Sequence, residues 1–156
     1  MPQTVIVNQQ YFPELVSTGQ VFQTLAEYLV TQGFAVTVVC GTPFYPGTSQ
    51  RAPKREVLGG VAVRRLWNTC FSKKSFFGKL LNQLTFMVSL FFYALFRIPR
   101  DATVLVTTAP PMAVVCAAVG RFFRRYRLVM TVQDLYPDVL VAAGQGDVGK
   151  LSYRML

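Results

Sequence analysis

Thr4-Val5-Ile6-Val7-Asn8 and Ala35-Val36-Thr37-Val38-Val39-Cys40 decide the fold. Both are short, rich in β-branched residues and free of polar alternation, the pattern of strands buried on both faces. Between them Val21, Phe22, Leu25, Ala26 and Leu29 recur at helical spacing, after Thr18, which can cap a helix, and before Gly33, which ends it. Strand, helix, strand is the βαβ unit of a parallel sheet with a right-handed crossover. The expected class is α/β.

Outward from that unit the pattern repeats. Val104-Leu105-Val106-Thr107 reads as a third buried strand, Met112 to Phe123 as an Ala- and Val-rich helix, and Arg127-Leu128-Val129-Met130-Thr131 as a further strand. Gly41 to Lys54 has loop composition. Glu56-Val57-Leu58 and Val61-Ala62-Val63, joined by Gly59-Gly60, read as a hairpin at a sheet edge or as an excursion. Phe76 to Arg97 is the longest helical candidate, with Lys73, Lys74 and Lys79 at one end and Arg97 and Arg100 at the other. Low-complexity segments and fixed-period repeats are absent, and Leu151 to Leu156 stop as if a helix had been cut. At 156 residues, 52% apolar, the chain suits one domain over 1–156.

The formal charge is +9, and fourteen of sixteen Lys and Arg lie between Arg51 and Arg127, a segment whose only acids are Glu56 and Asp101. Charge selects the sign of a partner but not its chemistry. These bases are interleaved with apolar runs such as Leu84 to Phe96, which fits an anionic membrane surface better than the solvated basic face of a nucleic-acid binder. That run is thirteen residues, short of the ~20 a spanning helix needs, so no transmembrane segment is expected. The amino terminus lacks the layout of an export signal. Cys40, Cys70 and Cys116 are odd in number and widely spaced, and are expected as free thiols in a reducing, cytoplasmic compartment. The chain has no His, which excludes a His base or a Ser-His-Asp triad within it.

Ligands of open parallel sheets bind beyond the carboxyl ends of the strands. Asn8-Gln9-Gln10-Tyr11-Phe12-Pro13-Glu14-Leu15-Val16-Ser17-Thr18-Gly19-Gln20 leads into a helix amino terminus, which favours a phosphate, and Gly19 permits close backbone approach. The same residues read equally as a cap and a turn. Neither a dinucleotide fingerprint nor a phosphate loop is present. Thr107-Thr108-Ala109-Pro110-Pro111 ends a strand and starts a helix. Thr131-Val132-Gln133-Asp134-Leu135-Tyr136-Pro137-Asp138 gathers two carboxylates and a tyrosine after a buried strand. A carboxylate there can take a proton from a substrate hydroxyl or orient it, or simply cap a turn.

Four stretches together resemble the amino-terminal domain of family 4 glycosyltransferases, in particular the bacterial exopolysaccharide and O-antigen group that includes colanic-acid fucosyltransferase-like and fucosamine-transferase-like enzymes. They are Asn8 to Glu14 with Thr18-Gly19, Gly41-Thr42-Pro43-Phe44-Tyr45-Pro46-Gly47, Thr107 to Pro111, and Gln133-Asp134-Leu135-Tyr136-Pro137-Asp138. The resemblance implies a GT-B fold of two Rossmann-like domains, this chain being the acceptor-side one. The implied reaction is retaining transfer of a hexose-type sugar from a nucleotide-sugar to a lipid-linked glycan acceptor, with no cofactor and no essential metal. It further implies Thr18 and Gly19 near the donor diphosphate, Asp134 at the reacting centre, and Tyr11, Thr108, Tyr136 and Asp138 around the acceptor.

Two departures stand against the family pattern: a single glycine, Gly19, where many members have a pair, and Gln133-Asp134 where many have a His. The donor domain and its paired-glutamate motif are not in the chain, so the expectation is an enzyme half that needs a second domain or a separate partner chain. The other expectation is a non-catalytic binding module of the same ancestry at the membrane surface. The resemblance also gives the basic helix a role at the inner face of the cell membrane, with Phe76, Phe77, Phe86, Phe91 and Phe92 dipping into the interface and Lys73, Lys74 and Lys79 on lipid phosphates. The alternative is a core helix with snorkelling bases. Nucleic acid is not an expected partner.

Overall fold

The computed structural model describes residues 1–14, 17–43, 51–71, 75–108, 110 and 112–132. Its elements run β1 (Gln3–Val7), α1 (Ser17–Thr31), β2 (Ala35–Cys40), β3 (Arg55–Leu58), β4 (Val61–Arg65), α2 (Phe76–Phe96), β5 (Thr103–Thr107), α3 (Ala113–Arg124) and β6 (Arg127–Thr131). They build one six-stranded sheet in the order β3-β4-β2-β1-β5-β6. All neighbours are parallel except the β3–β4 hairpin at one edge, closed by Gly59 and Gly60, both at positive φ. This is a mixed α/β, Rossmann-like fold, as the strand and helix patterns lead one to expect.

The alternating strand side chains feed two cores. Ile6, Val36, Val38, Cys40, Val61 and Val63 meet Phe22 and Ala26 of α1 on one face. Val5, Val7, Val39, Val104 and Val106 meet Phe86, Leu90 and Ala94 of α2 and Ala113, Cys116 and Ala117 of α3 on the other. Each fully buried Leu or Phe contributes about 1.5–3 kcal/mol, and strands buried on both faces collect that twice over.

The helix ends follow from local chemistry. Thr18 was expected to cap α1, but the helix already includes Ser17, so Thr18 sits in its first turn. At the other end Gly33 adopts φ +82, its N–H reaching the Val30 carbonyl while the Phe34 N–H reaches Leu29, which is the Schellman arrangement glycine permits. Ser75 caps α2 through the Gly78 N–H. Helix α2 has 21 residues, so by length and composition it could cross a membrane, unlike the thirteen-residue run taken from sequence. Phe86, Leu90 and Ala94 are nonetheless fully buried against the sheet.

Cys40 and Cys116 are buried and Cys70 is half-buried, all as free thiols. Burial pushes the Cys40 thiol up to about 12 and also raises Cys116. Because the thiolate is the reactive form, Cys40 and Cys116 in the native protein should resist a thiol reagent at mildly alkaline pH, and denaturation should release both. Rapid native labelling of Cys40, read by peptide mapping, would contradict the packing of β2.

Candidate functional site

The strand order reverses between β1 and β5. From β1 the chain leaves through α1 on one face toward β2; from β5 it leaves through α3 on the other face toward β6. Diverging helices at such a switch point open a crevice beyond the carboxyl ends of the strands. The β1–α1 and β5–α3 connections, two of those singled out in the sequence, flank it.

A buried polar scaffold ties the loops of this edge together. Of the buried polar or charged residues, Asn8, Thr42, Arg65, Asn68, Asn82 and Thr107 all belong to it. Thr107 Oγ1 donates to Asn8 Oδ1 (3.2 Å), joining β5 to β1, and Asn8 Nδ2 donates to the Gln10 carbonyl (2.7 Å). Asn68 Oδ1 accepts from the Thr42 N–H (2.6 Å), and Thr42 Oγ1 donates to the Leu66 carbonyl (2.8 Å). Asn82, the one polar residue in the buried stripe of α2, accepts from the Phe71 N–H and donates to the Phe71 carbonyl, both at 2.9 Å. Gln9 Nε2 reaches the Asn82 carbonyl at 3.2 Å. Arg65, at the end of β4, donates to the Phe12 carbonyl (2.6 Å) and the Pro53 carbonyl (2.9 Å) and pairs with Glu56.

Glycine serves this scaffold at two positions. A Cβ on Gly41 would lie 2.9 Å from Asn68 Oδ1 and 3.2 Å from the Gln9 carbonyl oxygen. A Cβ on Gly19 would lie 3.3 Å from the Gln10 carbonyl oxygen and 3.5 Å from that of Glu14. The bare side of Gly19 is thus occupied by its own loop, and close approach of a ligand there would use the N–H groups of the α1 first turn.

The sequence-predicted residues divide three ways. Thr18, half-buried, and Gly19, buried, stand at the start of α1, and half-buried Thr108 follows β5, so these come to the carboxyl edge together. Tyr11, expected beside an acceptor, is only 1% exposed and packs in the α1-side core. Burial, with Glu27 next in weight, raises its hydroxyl well above the usual phenol range, and a ring so enclosed serves the core. Asp134, Tyr136 and Asp138 lie outside the described residues, as do residues 44–50, Lys73, Lys74, Ala109 and Pro111.

Two of the phenylalanines assigned to a membrane interface are not free for it. Phe86 is fully buried, and Phe91 packs against the core, while Phe76, Phe77 and Phe92 are exposed. Arg65, Asn68 and Asn82 were missed by sequence reasoning. The signal available for Asn82 was its place in the i, i+4 run Gly78, Asn82, Phe86, Leu90, Ala94. Among the described residues no group of three His, Cys, Asp or Glu could hold a metal ion. No protein-family model matches the chain, and no curated protein matches it.

Proposed function

We propose that this chain is the acceptor-side, amino-terminal half of a retaining GT-B glycosyltransferase that moves a hexose-type sugar from a nucleotide-sugar to a lipid-linked glycan in polysaccharide biosynthesis, on the cytoplasmic side of the membrane. One observation carries the reading. The four family-like motifs follow β1, β2, β5 and β6, parallel strands that end on one edge, and the first and third flank the switch point where such sheets take ligands.

In this reading Thr18 and Gly19 offer the amino terminus of α1 to the donor diphosphate, where the helix dipole favours negative charge. Thr108, Tyr136 and Asp138 surround the acceptor, and Asp134 orients the attacking hydroxyl or takes its proton. Tyr11 supports the loop from the core side. The donor half comes from a second domain or a separate chain.

Asp134→Asn, made in the complete or reconstituted enzyme, tests the assignment. Loss of a positioned acid–base group is worth about 100- to 10,000-fold, so turnover should fall by at least the lower figure while acceptor affinity changes little. Unchanged turnover would remove Asp134 from the reacting centre.

A second reading, a non-catalytic module of the same ancestry at the membrane surface, draws on the exposed apolar residues of α2. It predicts acceptor binding with no donor turnover when the donor half is supplied, and the same assay separates the two.

A further inference from the structure

One row of α2 leans toward the hairpin edge of the sheet. Thr85, Ser89, Tyr93 and the C-cap residue Arg97 are spaced by four, so they share a face of the helix. The Thr69 N–H donates to Thr85 Oγ1 (3.0 Å), and Ser89 Oγ donates to the Trp67 carbonyl (2.7 Å). The row therefore runs antiparallel to the chain that leaves β4, and its next members, Tyr93 and Arg97, fall alongside β4 itself. Side chains alternate across that strand. Val61 and Val63 enter the α1-side core, which leaves Ala62 and Arg64 on the α2 side. Arg55 is the partner of Arg64 in the antiparallel ladder, and Val57 is the partner of Ala62, so both share that side. Val57 is 69% exposed, which shows that α2 stops short of covering the hairpin.

Three guanidinium groups thus surround one half-buried phenol. Burial raises the Tyr93 hydroxyl above the usual phenol range, and Arg64, Arg55 and Arg97 act against that rise. Among the described residues none of the three makes an ion pair, and neither their guanidinium groups nor the Tyr93 hydroxyl has a hydrogen-bond partner. Glu56 points to the other face, where it pairs with Arg65, and Glu27 belongs to α1 on that same far side. Asp101 follows Arg97 by four residues but makes no ion pair. The end of α2 favours a cation at Arg97. No such reason covers Arg55 opposite Arg64, since like charges directly across a ladder repel. An anion seated between them reverses the sign of that interaction. A carboxylate brings one charge and two oxygens. A phosphoryl group brings nearly two charges and three acceptor oxygens, enough for one guanidinium each, with the Tyr93 hydroxyl as a further donor.

We propose that Arg55, Arg64, Arg97 and Tyr93 form a binding site for the phosphoryl group of a small soluble ligand, on the α2 side of the β3–β4 edge. Strand β2 separates it from the β1–β5 crevice, and it stands whether or not the chain takes part in sugar transfer.

Titration of the whole isotope-labelled chain with sodium phosphate, exchanged for sodium chloride at constant ionic strength and followed through the arginine Nε–H signals, tests it. Saturable shifts are expected at Arg55, Arg64 and Arg97. Arg55→Gln and Arg97→Gln, both at exposed positions, should each weaken phosphate on the order of 10- to 100-fold, the worth of a hydrogen bond to a charged group. Arg121→Gln, on α3, should leave the affinity unchanged. In chloride alone Arg55→Gln should raise the thermal midpoint by about 1–4 °C, because it removes the cross-strand repulsion; a variant that merely misfolds would lower it. Repeating the titration with glycerol phosphate separates the sources: equal affinity assigns the site to the free anion, and tighter binding assigns it to an ester. Shifts that do not saturate, or an equal loss in Arg121→Gln, would overturn the proposal and leave only diffuse surface charge.

Discussion

Replacing Arg65 with Met is expected to destabilise the protein by about 3–5 kcal/mol, the range for removing one member of a buried ion pair. The Arg65 side chain is fully buried and its Glu56 partner only 18% exposed. Methionine fills much of the volume but leaves the carboxylate without its counter-charge and the Phe12 and Pro53 carbonyls without donors. The loss should lower the thermal midpoint by roughly 10 °C in a domain of this size. Combining Arg65→Met with Glu56→Leu should recover part of it, because replacing both members of a buried pair is far less costly than breaking it. Denaturant titration of the three variants gives the comparison, and a single-mutant loss below about 1 kcal/mol would contradict the buried network. The effect should extend to the β1–α1 loop, since Arg65 holds the Phe12 carbonyl from across the sheet.

The second large effect is at Gly120, where two rules oppose each other. In a helix interior Ala is favoured over Gly by about 1 kcal/mol. A Cβ at Gly120, however, would stand 2.6 Å from the Tyr126 hydroxyl oxygen, 2.7 Å from Ala94 Cβ and 3.0 Å from the Ala94 backbone carbon. Ala94 cannot rotate away, and the buried Tyr126 hydroxyl donates to the Ala117 carbonyl. Either α3 lifts from α2 or Tyr126 gives up its bond. Overpacking and a lost buried hydrogen bond each cost about 1–3 kcal/mol, so Gly120→Ala should be destabilising by about 2–4 kcal/mol. A more stable Gly120→Ala protein would mean that α2 and α3 are not in contact at this crossing.

The fold was legible in the sequence because its central strands β1, β2 and β5 are largely buried, while β6, read as a buried strand, is an exposed edge whose apolar run still marked it as a strand. The patterns at 35–40 and 127–131 coincide with β2 and β6, and Gly59-Gly60 closes the expected hairpin. Unbroken apolar runs identify a central strand without any need to know its neighbours. The same property hid the outer face of α2. In Phe76–Phe96 apolar residues occupy nearly every turn position, so periodicity could not separate Phe86, which is buried, from Phe92, which is exposed.

The site was less legible because its scaffold is long-range. Thr42 and Asn68, or Phe12 and Arg65, meet only once β1, β2 and β4 are paired, and nothing in local composition links them. Tyr11 shows the converse: the resemblance puts it beside an acceptor, while in the fold its ring is buried in the α1-side core.

Titration of the isotope-labelled chain with a soluble, short-chain prenyl-diphosphate-linked monosaccharide, followed by amide chemical shifts, tests the acceptor-side assignment most directly. Saturable shifts are expected at Thr108, which follows β5, and at Tyr136 and Asp138, the residues given to the acceptor. Shifts confined to the α2–α3 face, with none at those three residues, would contradict it.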